Sequence, residues 1–354
     1  MKNVFIFNYN KTYKKIGGEF FSVDRLKKLL EKNKYKVFYY NDYSKLNVFK
    51  IFKKNNILYF NGIFHLKIFF FLIISYILKL KIVISPKGEL LPGAFLIKKN
   101  KKFFFYKMLK FLINKNTYFH STSKFEYRYL KKEFANNSVY LARDILSENF
   151  EELIKYSNLI LNKKFSNKQN LNFHNNLKIV FYSTISEKKN LKFAINIIKK
   201  LKRKVIFDVY GNTYNKKYLD ECISETKLFN DNINFNYHGA VKHSDVLSKL
   251  SRYHILINPT LSENFGYAIL EAMMSGCFLL ISKNTTPWSF VNREKIGKEI
   301  NLNNPKKWYN FIDNFDSKIF FSKLHLVNKY NMLYKKYFNN FDIKKENLSL
   351  FKNL

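Results

Sequence analysis

HILINPTLSENFGYAILEAMMSGCFLLIS, residues 254–282, decides how this chain folds. HILINPT (254–260) is an apolar, β-rich run, SEN (262–264) a polar exit turn, and FGYAILEAMMSG (265–276) a helical pattern that stops at Gly276. CFLLIS (277–282) is a second apolar run of strand length. Strand, helix, strand in this order makes a parallel pair with a crossover helix. Two acids fall inside the unit, Glu263 in the turn and Glu271 within the helix. Asn264 and Glu271 are close to two turns apart, so they share a helix face at a separation of about 10 Å. The start of such a helix offers N–H groups and positive potential to a diphosphate, and Gly266 lets a phosphate approach the backbone. A carboxylate at either end, accepting hydrogen bonds from hydroxyls, describes a site for a nucleoside-diphosphate sugar. Spacing alone leaves another reading open, in which Glu263 only complements the helix dipole and Glu271 is a partly buried acid paired with a lysine.

The same alternation runs through the rest of the chain. VFIFNY (4–9), KVFYY (36–40), ILYF (57–60), KIVIS (81–85) and TYFHS (117–121) form a first series of strands. LKIVFYS (177–183), VIFDVYG (205–211), INFNYHG (233–239) and the two runs already quoted form a second. Amphipathic stretches lie between them, which predicts two doubly wound α/β domains with parallel sheets, facing each other across a cleft. The polar stretch 162–176 is the predicted linker. The boundaries expected are 1–165, 166–317 for a donor-binding domain, and a helical tail 318–354 packing back on the first domain.

At 354 residues two domains are the default. The net charge is +37, yet only six of 63 basic residues are arginine and the lysines are spread along the whole chain. Selection for phosphate binding favours the planar fork of arginine, so a nucleic-acid partner is not expected. The excess lysine still suits an anionic membrane surface or small anions. Cys222 and Cys277 show no paired or metal-type spacing, which points to a reducing cytoplasm. The apolar run 68–78 is too short to span a bilayer, and the apolar faces of 68–78 and 103–113 read as core. The KKNKK run (98–102) reads as a solvated surface able to touch anionic headgroups.

Residues 263–271 resemble the donor-site E-x7-E signature of retaining glycosyltransferases of family four, which have the two-Rossmann GT-B fold; Glu263, Asn264, Phe265, Gly266 and Glu271 match it. IGGE (16–19) resembles the family's N-terminal glycine loop near the donor phosphates and YSTISEKKNL (182–191) the loop after the first strand of its donor domain, while SPKGELLPGAF (85–95) and FHSTSKFE (119–126) resemble segments of members that build bacterial surface polysaccharides. The resemblance implies a cytoplasmic, membrane-peripheral enzyme on the inner face of the cytoplasmic membrane. Its partners would be a nucleotide sugar, a lipid-linked or oligosaccharide acceptor and the anionic inner leaflet. It further implies transfer with retention, Glu263 on the donor-sugar hydroxyls and Glu271 on the ribose. Lys189, or its neighbour Lys188, matches the lysine that meets the diphosphate. Ser183 and Thr184 lie in the same loop, and Thr184 occupies the position where the family usually has arginine; Lys87 and Arg143 are candidates to compensate.

Other positions carry two readings each. Gly17 and Gly18 suit a phosphate-facing loop or an ordinary turn. Gly211 and Gly239 admit the nucleotide or simply close their strands. His120 ends a strand on the cleft side, with a catalytic role or a structural hydrogen bond open to it, and His65 is a weaker case. Lys87 and Glu89 are candidate acceptor contacts; Glu89 is equally a solvated loop acid. No Asp-x-Asp occurs, so neither a metal nor any other cofactor is expected. The competing functions are a sugar-nucleotide-binding protein without turnover, an epimerase of the same two-domain plan, and a basic nucleic-acid-binding protein.

Overall fold

The apolar runs pair into two parallel sheets. The computed structural model describes residues 2–8, 18–40, 48–53, 55–64, 66–95, 99–166, 176–316 and 326–354. Among these, the first sheet contains β1 (Asn3–Asn8), β2 (Lys36–Tyr40), β3 (Ile57–Asn61), β4 (Lys81–Ser85), β5 (Thr117–Ser121) and β6 (Val139–Leu141), in the order β2-β1-β3-β4-β5-β6. The second contains β7 (Leu177–Tyr182), β8 (Val205–Tyr210), β9 (Ile233–Gly239), β10 (Ile255–Asn258), β11 (Phe278–Ser282) and β12 (Gly297–Ile300), in the order β12-β11-β10-β7-β8-β9. The quoted stretch is indeed β10, a crossover helix Tyr267–Met274 and β11, paired in register from Ile255↔Phe278 to Asn258↔Ile281. The described pairings between strands are parallel, and β3, β10 and β11 are buried along their whole length. Burial on both faces is why these strands read as continuous apolar runs rather than alternating ones.

The chain forms two compact units, Met1–Glu148 together with Phe338–Leu354, and Asn149–Tyr337. In the first, Phe5, Phe7, Phe60, Phe71 and Phe119 form an aromatic core, with Phe7 stacked on Phe60 at 4.8 Å. Helix Asn340–Lys352 belongs to this unit. The Arg143 guanidinium donates to Glu346 at 2.5–3.1 Å, Asn347 Nδ2 donates to the Arg143 carbonyl at 2.8 Å, and Phe351 packs on Tyr59 at 5.9 Å.

In the second unit, Trp308, Phe207 and Phe181 are among the side chains buried around β7 and β8. Helix Phe150–Ser166 packs here rather than on the first unit, so the unit border lies at 148/149 and not at the expected 165. The physical reason is visible in three contacts. The Ser157 hydroxyl donates to the Met274 carbonyl at 2.6 Å, Leu161 and Phe165 crowd Gly276, and Lys164 Nζ donates to the carbonyls of Tyr253, Ser275 and Gly276 at 2.7–3.2 Å. Two of those carbonyls close helix Tyr267–Met274, where a cation is favoured. The first residues of the expected linker, 162–166, are thus helical, and 167–175 lie outside the described residues. Likewise helix Leu326–Tyr337, expected in the tail, belongs to the second unit, and only Phe338–Leu354 joins the first.

Candidate functional site

Helix Tyr267–Met274 is fixed at both ends by glycine. Gly276 adopts φ +70°, its N–H donates to Met273 O and the Cys277 N–H to Ala272 O, each at 3.0 Å. This closes the last turn in the paired-bond pattern that favours a left-handed glycine. At the other end Gly266 has φ +85° and no side chain with which to cap the first turn. A Cβ there would lie 2.9 Å from Trp288 Nε1, which donates to the Phe265 carbonyl at 2.6 Å. Gly266 is therefore required by the turn itself, beside any approach of a phosphate.

In the second sheet β7 leads through β8 to β9 on one side, while the chain returns to add β10, β11 and β12 on the other. The loops leaving β7 and β10 thus diverge at the switch of strand order, where open α/β sheets bind their ligands. The loop 183–190 and the loop 259–266 are stitched together at this point. The Leu261 N–H and the Thr260 hydroxyl donate to the Lys188 carbonyl at 2.9 and 3.1 Å, and Asn190 Nδ2 donates to the Pro259 carbonyl at 3.1 Å.

Lys189 and Glu263 meet across the two loops as an ion pair, with side-chain exposures of 18% and 13%. The Asn264 N–H donates to the same carboxylate at 3.2 Å, and the Glu263 N–H donates to the Thr285 carbonyl at 2.7 Å. Burial alone would raise the Glu263 pKa, but the charges of Lys189 and Lys188 outweigh it and hold the carboxyl below its ordinary value. Glu263 is ionised. Glu271 lies in a different setting, hydrogen-bonded to Tyr182 at the end of β7, with His243 Nδ1 at 3.6 Å. Burial pushes Glu271 up to about 7, against the opposing pull of the Tyr182 bond. The lysine expected beside Glu271 is thus not there among the described residues, and it is Glu263, read as a dipole-complementing or sugar-binding acid, that pairs with a lysine. Its lysine is Lys189, the residue expected to meet the diphosphate.

Other expected residues fall into place differently. Thr184 is exposed, while Ser183 and Lys188 are half-buried in the same loop. Gly239 has φ +68° with open space where a Cβ would stand. At Gly211 a Cβ would lie 1.7 Å from the Ser183 carbonyl oxygen, so strand closure already demands this glycine. Gly18 opens helix Gly18–Lys32, whereas Gly17 and His65 lie outside the described residues.

Four candidates in the first unit are held by partners within the fold. His120 is buried, with Nε2 2.7 Å from the Ala142 carbonyl and Nδ1 2.8 Å from the Tyr59 hydroxyl. A carbonyl can only accept, so Nε2 carries the proton and Nδ1 accepts from Tyr59. Burial and the nearby Lys87 charge lower its pKa to about 4. His120 is a structural histidine. Lys87 is buried against Asp144 at 2.5 Å, and Glu89 accepts the Ile63 N–H at 2.6 Å, so both acceptor candidates serve the fold. Arg143 is likewise held by Glu346.

Sequence reasoning missed Tyr182, His243, Ser262 and Trp288. Only Tyr182 had a signal, its place at the end of an apolar strand. Asn258 Oδ1 and Ser262 Oγ, at the exit of β10, are buried without a hydrogen-bond partner among the described residues. No three His, Cys, Asp or Glu side chains cluster as a metal site among the described residues.

Residues 162–315 match the family model of glycosyl transferases group 1. The group 1 match lies wholly inside the second unit and contains every residue of the site just described. No curated protein sequence matches the chain. Among solved structures it is similar to Anabaena HepE in complex with UDP-glucose, at TM-score 0.68 and 14% identity over 99% of this chain and 100% of that one. It is also similar to sucrose-phosphate synthase of Thermosynechococcus elongatus, at TM-score 0.71 and 13% identity over 100% and 99% of the two chains. A third similar structure is WaaG, a glycosyltransferase involved in lipopolysaccharide biosynthesis, at TM-score 0.60 and 12% identity over 97% and 98%. At such identities the likeness is one of fold. The chain has the GT-B plan of two Rossmann-like parallel-sheet domains.

Proposed function

We propose that this protein transfers a sugar from a nucleoside-diphosphate sugar to an acceptor hydroxyl, without a metal and with retention at the anomeric carbon. The observation that carries the reading is the meeting of Lys189 and Glu263 at the switch of strand order, at the start of the helix that bears Glu271. The group 1 match to residues 162–315, and a similar fold solved with UDP-glucose, support the donor class. As the bond from the anomeric carbon to the diphosphate breaks, negative charge grows on the departing oxygen. Lys189 and the N–H groups around Phe265 and Gly266 are suited to stabilise it. Lys189 is then shared between the diphosphate and Glu263, which frees carboxylate lone pairs for hydroxyls of the donor sugar. Glu271, about one turn into a helix that begins at Tyr267 rather than at Asn264, takes the ribose hydroxyls. The acceptor oxygen attacks from the face the diphosphate leaves, and its proton departs with the diphosphate.

The acceptor we infer is a growing, lipid-linked saccharide of a bacterial surface polysaccharide, met at the inner face of the cytoplasmic membrane. The similarity to WaaG supports this part. A second reading, donor binding without transfer, is favoured by Thr184 at the usual arginine position, since Lys87 and Arg143 are already paired within the first unit. A thermal-shift screen of UDP-, GDP-, ADP- and CMP-sugars tests donor binding, because a ligand at 100 times its Kd stabilises the fold by about 2.7 kcal/mol. Release of nucleoside diphosphate in the presence of acceptor then separates transfer from binding. If none of the four shifts the unfolding temperature and none is turned over, the proposal is wrong.

A further inference from the structure

One face of the first unit carries a surface that the donor site does not use. β3, β4 and β5 are consecutive and adjacent, so right-handed crossovers put helices Lys67–Leu78 and Lys99–Leu112 on one face of the sheet. Phe69 packs on Phe105 between them, with ring centroids 4.4 Å apart. On the first helix Ile68, Phe71, Leu72 and Ser75 turn inward. Leu66 (76% exposed), Phe70, Ile73 and Ile77 (69%) form a second apolar stripe, at i, i+4, i+7 and i+11, that faces solvent. The neighbouring helix repeats the pattern with Phe104 and Phe111, 65% and 86% exposed, and Phe103 beside them. The expectation that both helices are core is therefore half right: each buries one side and leaves an apolar side in water. Contiguous apolar stripes of this kind mark interaction surfaces.

Charge identifies what covers them. Residues 43–125 contain sixteen lysines and a single acid, Glu89; Lys87 is paired with Asp144 and Lys110 with Glu133 from outside this stretch, which leaves the excess strongly positive. Glu89 is turned to the Ile63 N–H. Lys67 and Lys79 flank the first helix, and on the second Lys107 Nζ sits 4.8 Å over the Phe103 ring. A second copy of the chain would bring the same unbalanced positive charge to the contact. An anionic bilayer neutralises it and takes aromatic and aliphatic side chains at the headgroup–acyl boundary.

We propose that this face docks on an anionic lipid bilayer, Phe70, Ile73, Ile77 and Phe111 entering the interface while the surrounding lysines meet lipid phosphates. It deepens the membrane part of the proposed function. The assay contains no sugar nucleotide, so its failure leaves the donor-site reading standing. The full chain is sedimented with phosphatidylcholine vesicles, with and without about 30 mol% phosphatidylglycerol, at about 0.15 M salt. The triple variant F70S/I73S/F111S keeps every charge, and K216E/K217E removes exposed charge from the second unit. The wild type should pellet with the anionic vesicles only, the triple variant should partition roughly tenfold less, and K216E/K217E should stay within about twofold of wild type. Circular dichroism checks that both variants fold. The proposal is overturned if the triple variant pellets like wild type, or if wild type ignores anionic vesicles. It is equally overturned if sedimentation velocity shows a vesicle-independent dimer that the triple variant loses.

Discussion

Glu271 holds its proton more tightly in the folded chain than an ordinary glutamate does, its pKa moving from 4.5 to about 7. The folded state is therefore favoured where that proton is bound. The contribution is complete below about pH 4.5 and is lost as pH rises to about 7. Urea midpoints at pH 5, 6, 7 and 8 should show this decline, and Glu271→Gln should remove it. Ribose hydroxyls donate best to an ionised acid, so donor KM should fall as pH rises through about 7 in wild type and stay flat in Glu271→Gln. Losing a charge-assisted bond of about 1.5–3 kcal/mol should raise the variant's donor KM at pH 8 by roughly ten- to a hundredfold. Lys189→Ala should act instead on turnover, lowering kcat by about two to three powers of ten; an unchanged kcat would remove Lys189 from the chemistry. Gly211→Ala tests packing rather than chemistry. A methyl group 1.7 Å from the Ser183 carbonyl cannot be accommodated in place, and a destabilisation of about 3 kcal/mol or more should appear in urea unfolding.

The strands legible from sequence were runs rich in β-branched and aromatic residues, whether largely buried, as KIVIS, or only partly buried at a sheet edge, as KVFYY and INFNYHG. KVFYY, KIVIS, TYFHS and INFNYHG are strands with the boundaries read from sequence. β6 and β12 were not legible, because VYL is only three residues long and GKEI carries a glycine and two charges. The E-x7-E spacing placed Glu263 and Glu271 around one helix start, but not the Lys189 pairing, which depends on two loops folding onto each other. The structural fates of His120 and Arg143 depend on Tyr59, Ala142 and Glu346, contacts remote in sequence. Helix Lys67–Leu78 was misjudged because apolar residues on every side carry no period to say which side is buried. At this scale helix Asn340–Lys352 invites a test. Phe351 is fully buried in the first unit, and Phe351→Ala should destabilise that unit by about 3–5 kcal/mol. Trp288 and Trp308 both lie in the second unit, and the chain has two tryptophans. Circular dichroism should therefore show the loss while the tryptophan fluorescence transition stays in place.

Over the whole molecule, each unit has its own buried core. We expect the two to unfold in separable transitions, and a binding nucleotide sugar to raise the one seen by tryptophan fluorescence alone. A ligand shift of both transitions by the same amount would show that the cores melt as one. The charge of +37 belongs to this scale as well. It is unevenly spread, residues 43–125 holding sixteen lysines and a single acid.

The order of segments along the chain also constrains how the protein is made. The first unit includes Phe338–Leu354, so its final helix leaves the ribosome only after the entire second unit has been synthesised. Translation proceeds at about 5–20 residues per second, which leaves the first sheet waiting for roughly ten seconds or more with the seat of Phe351 unfilled. The later-synthesised domain can finish folding first, and the earlier one is then exposed for that interval to chaperones and proteases.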